Sequence, residues 1–265
     1  AGADWILADA LGVEPIDPQA WNIAQGRLRE LVSDPAGVPA RNPAAIGRLV
    51  EGLMLGGFAM QASKSSRAAS GAEHQFSHLW DMQHHQHNGQ TPSHGFKVGI
   101  GTLAVTALYD QLLKQPLNKL DIERCCAAWP NREQWVAEAR ELFGESEVAA
   151  VAIQEIQIKA GDPDSLRQQL LRLRSIWPQL GERLHQQLLP FATLRGMLLA
   201  AGAPVEPEQI GISRQRLRAS FRRAFFVRRR FTVLDLAVRT GLLDSCVDVI
   251  FGPRGHWPVE PETKP

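Results

Sequence analysis

Cysteine is scarce: three residues in 265, two of them adjacent (Cys125, Cys126) and one distant (Cys246), with no Cys-x-x-Cys pair. That excludes a disulfide framework and a cysteine zinc knuckle, and it fits a reducing cytoplasm. Tyrosine occurs once and aromatics make up 7%. Alternating runs of β-branched and aromatic residues are correspondingly rare, so little sheet is expected. Charge of one sign is not in excess either. Lys+Arg number 29 against 28 Asp+Glu, a formal net charge of +1, so no global field draws the chain onto nucleic acid or an anionic membrane. No apolar run reaches the ~18 residues of a membrane span. The first residues lack the basic-then-apolar order of a signal peptide. The expectation is a cytoplasmic globular protein.

What is present is helix-forming. Ala, Leu, Arg, Gln and Glu dominate, and these carry the highest helix propensities. Asp17-Pro18 and Asn42-Pro43 each place a capping side chain before a proline at the first helical position. The helix after Pro43 is apolar on most sides (Ile46, Leu49, Val50, Leu53, Met54, Phe58), which predicts a central core helix. Ser70-x-x-Glu73 reads as a capping box, and Ser93 is placed to cap another long helix. No internal repeat or low-complexity linker appears. The reading is one all-α domain over residues 1–265, of roughly ten helices, with a Pro-rich tail that is loose or wrapped on the surface.

The stretch GAEHQFSHLWDMQHHQHNGQTPSHG, Gly71 to Gly95, holds six of the eight histidines. A metal site, a solvent-facing tract and an accident of composition all fit this density. His74 and His78, four apart, share a helix face. His94 begins the next helix after a turn, so imidazoles from two helices can converge. Zn²⁺, Ni²⁺ and Fe²⁺ all accept neutral imidazole nitrogen, and a catalytic ion needs about three protein ligands with one position open. His84, His85 and His87 lie towards a helix C-terminus, where imidazolium is favoured, and read as solvated or capping.

SSRAASGAEHQFSHLWDM, followed by HGFKVGIGT, resembles the sn-glycerol-1-phosphate dehydrogenase family of the iron-containing alcohol dehydrogenase and dehydroquinate synthase-like superfamily. ADWILADALG, IGRLVEGLMLGGFAMQAS and IGISRQRLRASFRRAFFVRRRFTVLDLAVRTG extend the resemblance over nearly the whole chain. It implies the C-terminal helical, metal- and substrate-binding half of such an enzyme. His74 and His94 match the family's metal-binding histidines, with Zn, Ni or Fe as the divalent metal. The complete enzyme would use NAD(P)H to reduce the ketone of dihydroxyacetone phosphate to sn-glycerol 1-phosphate. A related glycerol dehydrogenase or dehydroquinate synthase-like domain is the alternative within the superfamily.

The resemblance also has departures. Nothing reads as βαβ, so the Rossmann-like nucleotide-binding domain is expected to be absent from this chain and to be a partner of it. The family's third ligand, a carboxylate in a Gly-x-Gly-Asp-like stretch about a dozen residues before the ADW segment, is missing from the chain. Asp4 does not replace it, because twelve helical residues rise ~18 Å. Phe96 stands where superfamily relatives commonly have Glu. The chain alone is therefore expected to be inactive. One turn from His74, His78 is the candidate for a proton-relay role. Arg67 and Lys97 are the candidates for the substrate phosphate. Gly99 and Gly101 read mainly as close helix packing. A homo-oligomer is compatible with the resemblance.

A reading of another class is a non-catalytic helical binding module. The segment Arg214–Arg230 carries eight arginines interleaved with Phe221, Phe225 and Phe226, a pattern that tracks a phosphate backbone and stacks on bases. The competing reading makes the phenylalanines a core stripe with snorkelling arginines, and nucleic acid is not the expected partner.

Overall fold

Fourteen α-helices and three short 3-10 turns build the structure, a computed structural model that describes residues 1–259. The helices are α1 (Gly2–Ala10), α2 (Pro18–Gln25), α3 (Leu28–Leu31), α4 (Pro43–Ser63), α5 (Ala72–Met82), α6 (His94–Leu112) and α7 (Ile122–Ala127). They continue with α8 (Arg132–Phe143), α9 (Glu147–Lys159), α10 (Pro163–Gln187), α11 (Phe191–Ala200), α12 (Arg214–Phe226), α13 (Val233–Arg239) and α14 (Leu243–Phe251). The described residues contain no strand, only an isolated bridge between His87 and Gln90. None of their helices is long and apolar enough to cross a membrane. The all-α architecture is as the composition indicated.

Local signals fix most helix starts. Asp17 accepts from the Ala20 N–H, Asn42 from Ala44, and Ser93 from Phe96. Each satisfies a donor that the first helical turn leaves unpaired. Asn131 and Gln134 form a reciprocal capping box at α8.

The centre of the fold is α6, whose Ile100, Leu103, Ala104, Ala107, Leu108 and Leu112 are fully buried. It packs against α5, α11, α13 and α14. α5 lies against it, and the two touch backbone to backbone at Gly101. A Cβ there would lie 2.5 Å from the Glu73 carbonyl oxygen, so only glycine lets the helices approach this closely. Gly99 has no such neighbour.

The structure corrects several expectations and decides details that the sequence left open. α4 is not a central helix. Only Ala45 and Ala59 are buried, while Leu53 is 70% exposed and Val50, Met54 and Phe58 about half exposed. Its one packed side rests on α2, α3 and the 3-10 turn after it. The α5 N-cap is Gly71, with no side-chain cap from Ser70. Instead the Ala72 N–H is taken by Asp4, 68 residues away, while Glu73 accepts from the Gly71 N–H. The segments on either side of Pro178 form one helix, α10, held by a continuous buried stripe of Leu166, Leu170, Leu173, Trp177, Leu180 and Leu184. The segment Thr232–Phe251 forms two helices, because Gly241 takes a left-handed turn (φ +67°) between them. The tail is docked over its described part. Trp257 is buried, its N–H bonded to the Ile250 carbonyl, and the Val259 N–H is bonded to that of Phe251. Residues 260–265 lie outside the described residues.

Candidate functional site

Packing of α5 on α6 brings His74 and His94 together, with ring centroids 5.2 Å apart and an interplanar angle of 50°. In each ring Nδ1 is engaged by the protein. His74 Nδ1 is 2.9 Å from Glu73 Oε1, and His94 Nδ1 is 3.3 Å from Ser77 Oγ. A carboxylate partner makes His74 Nδ1 the protonated nitrogen, which leaves the Nε2 lone pair free. Burial and the facing His74 ring push the His94 pKa down, which favours the neutral form of that ring.

This arrangement fits a divalent ion. Metal-binding histidines ordinarily donate the second ring N–H to an oxygen, which fixes tautomer and orientation. Two imidazoles sharing a tetrahedral ion at the usual metal–nitrogen distance have centroids about 5 Å apart. Among the described residues no group of three or more His, Cys, Asp or Glu side chains gathers to hold a metal, so the pair could offer an ion two nitrogens. Glu73 is already occupied by Gly71 and His74.

His78 lies next to His74, with centroids 6.3 Å apart. Burial first, then the cation of Arg228, then His74 push its pKa down to about 4. It lines a cavity of about 450 Å³, bounded by Ser66, Ser70 and Gly71 on one side and Arg228–Phe231 on the other. The arginine-bearing loop between α12 and α13 is held from several sides. Lys159, buried on α9, donates to the carbonyls of Phe225 (2.7 Å) and Arg228 (3.1 Å) and pairs with Asp235 (3.1 Å). Arg229 forks onto Glu155. The Arg230 carbonyl accepts from Gln75, and its guanidinium donates to Ser70 O and Ser66 Oγ (both 2.8 Å).

The two cations expected at a substrate phosphate are both buried and paired within the fold. Arg67 is fully buried, donating to the Asp4 carbonyl (2.6 Å), with Nε 3.4 Å from Glu14. Lys97 is buried and bonded to Asp81. Neither lines the cavity. His85 is neither solvated nor a cap. It is buried, with Nε2 2.7 Å from the Ile210 carbonyl and Nδ1 accepting from Arg216 (2.7 Å). The described contacts of the basic segment favour the core reading of its aromatics: Phe221, Phe225 and Phe226 are buried. Arg214, Arg218, Arg222 and Arg229 pair with carboxylates. Sequence reasoning missed Arg228 and Arg230 as a separate feature. The signal was their position after the helix and before the Thr232-x-x-Asp235 capping box, which puts them on a loop.

Comparison with known proteins bears on the same histidine-containing segments. No family model matches the chain and no solved structure matches it. Curated relatives do. A glycerol-1-phosphate dehydrogenase of Geobacillus thermodenitrificans is 25% identical over 233 residues, 88% of this chain and 48% of that protein. The chain is related to the glycerol-1-phosphate dehydrogenases. One from Halalkalibacterium halodurans is 36% identical over 106 residues, 40% of this chain and 27% of its own length. One from Methanosphaera stadtmanae is 29% identical over 140 residues, 51% of this chain and 39% of its own. The chain thus spans at most about half the length of these glycerol-1-phosphate dehydrogenases, all described as NAD(P)-linked.

Proposed function

We propose that this chain supplies the metal- and substrate-binding helical half of an NAD(P)-linked dehydrogenase that reduces dihydroxyacetone phosphate to glycerol 1-phosphate. The observation that carries the reading is the His74–His94 pair, each ring held through Nδ1 with Nε2 left over, in a relative of glycerol-1-phosphate dehydrogenases. A divalent ion held there would polarise the substrate carbonyl and stabilise the developing alkoxide. Glu73 and Ser77 fix the two rings. His78, neutral over most of the pH range and on the cavity wall, holds or passes a proton at the substrate oxygen. NAD(P)H would come with a nucleotide-binding domain, the partner this reading requires. With two converging nitrogens, no third ligating side chain gathered with them among the described residues, and Glu73 engaged by Gly71 and His74, metal binding is weak and this chain alone turns over no dihydroxyacetone phosphate.

Titration calorimetry with Ni²⁺ and Zn²⁺ tests the reading. One site should vanish in His74→Ala and in His94→Ala and survive in the His84→Ala/His87→Ala double variant. Affinity should fall at acid pH, because each ligand nitrogen must be unprotonated, and the lowered His94 pKa moves its part of that loss below the ordinary imidazole value of ~6.5. Loss of all binding in the double variant, with no effect of the single changes, would overturn it.

A further inference from the structure

We propose that the cavity between the start of α5 and the Arg228–Phe231 loop is an anion site that takes the phosphate of a small phosphorylated substrate, with Arg228 and Arg230 as its cations. The naming of the substrate rests on the dehydrogenase reading; the anion site itself does not.

The charge balance of the walls carries the argument. Five charged side chains line the cavity: Glu14, Glu155, Arg228, Arg229 and Arg230. Glu155 is forked by Arg229 at 2.7 Å, so these two cancel. Glu14 faces the buried Arg67 at 3.4 Å. Arg230 is half-buried yet bonded only to neutral oxygens of Ser70 and Ser66. The Arg228 guanidinium has no hydrogen-bond or ion-pair partner among the described residues, its carbonyl alone accepting from Lys159. Two positive charges therefore line one cavity without an anion of the protein's own, Arg228 exposed and Arg230 half-buried. A partly desolvated cation without a counter-charge is costly, and burial together with Arg67 pushes the Arg230 pKa down. Behind the wall, Arg67, paired with Glu14, leaves its Nη1 buried without a hydrogen-bond partner.

The donors suit phosphate. Guanidinium forks match phosphate oxygens. Ser66 Oγ accepts from Arg230, so its own proton is free to donate. At about 450 Å³ the space holds a small molecule, not a polyanion. His78 lies on the same wall, its ring 6.3 Å from that of His74.

Calorimetry on the full chain, without metal, tests this with inorganic phosphate, glycerol 1-phosphate and glycerol. The two phosphates should bind and glycerol should not. Arg228→Gln, an exposed side chain with no structural partner, should weaken both at least tenfold with an unchanged melting temperature. Arg230→Gln should do the same if it folds. Arg218→Gln, paired to Asp248 on the outer face of α12, should leave both unchanged. No phosphate binding, no effect of Arg228→Gln, or an equal loss in Arg218→Gln would each overturn the site. A parallel Ni²⁺ titration separates the two readings. Phosphate binding without a His74–His94 metal site removes the dehydrogenase reading and leaves the anion site. Metal binding without phosphate binding does the reverse.

Discussion

The carboxylate of Asp4 accepts a 2.6 Å hydrogen bond from the hydroxyl of Tyr109, the chain's single tyrosine. The same carboxylate accepts from the N–H groups of Ala72 and Val233, the first residues of α5 and α13. Asp4 is 1% exposed. One buried anion near the chain start therefore caps two helices and ties them to α6. Burial, then the adjacent Asp4 charge, raise the Tyr109 pKa well above its ordinary value, so the phenol stays a donor. Asp4→Ala should cost about 3 kcal/mol or more, because it strands buried donors, and Tyr109→Phe about 1.5–3 kcal/mol. Urea unfolding measures both; a loss below ~0.5 kcal/mol for Asp4→Ala would contradict this role.

Gly101 sets the spacing of the two histidine-bearing helices. A methyl group 2.5 Å from the Glu73 carbonyl must push α5 away from α6. Gly101→Ala should destabilise by about 1–3 kcal/mol through overpacking and should weaken Ni²⁺ binding, since Glu73 adjoins His74. Gly99→Ala, with open space around its Cβ position, should do neither. Equal effects of the two changes would show that the helix contact is not tight.

The pH dependence follows from His78. Its native pKa is pushed down to about 4, first by burial and then by Arg228, whereas the unfolded value is near 6.5. As pH falls between these limits the unfolded chain binds a proton that the native state refuses, so stability declines. Above ~6.5 and below about 4 this group adds no further slope. In chelator-containing buffer, His78→Gln should therefore lose less stability than the parent between pH 7.5 and 4.5. Parallel profiles would mean that His78 titrates normally.

Exposure separates α4 from the core. Leu53→Glu and Met54→Gln change side chains that are more than half exposed and should alter stability by less than about 0.5 kcal/mol. Phe76→Ala and Leu79→Ala, both fully buried on α5, should cost about 3–5 and 2–5 kcal/mol. Thermal melts read the contrast, and a large loss on Leu53→Glu would place that face inside a packed interface.

The sequence by itself determined the helical class and most helix starts. Asp17-Pro18, Asn42-Pro43 and Ser93 cap helices within three residues of themselves, and such local hydrogen bonds need no tertiary partner. It also marked His74 and His94 as a pair, through their place in a recognisable motif. The tertiary structure alone decided which apolar helix lies at the centre. α4 and α6 are both apolar on most sides, but only α6 is enclosed by α5, α11, α13 and α14. Asp4 as the cap of α5, His85 as a buried bridge to Ile210 and Arg216, and the loop of Arg228 and Arg230 facing Ser66 and Ser70 depend on contacts between residues 68 to 164 positions apart. Helix propensity and capping act over a few residues, whereas burial and charge pairing are set by whatever the chain returns to place alongside.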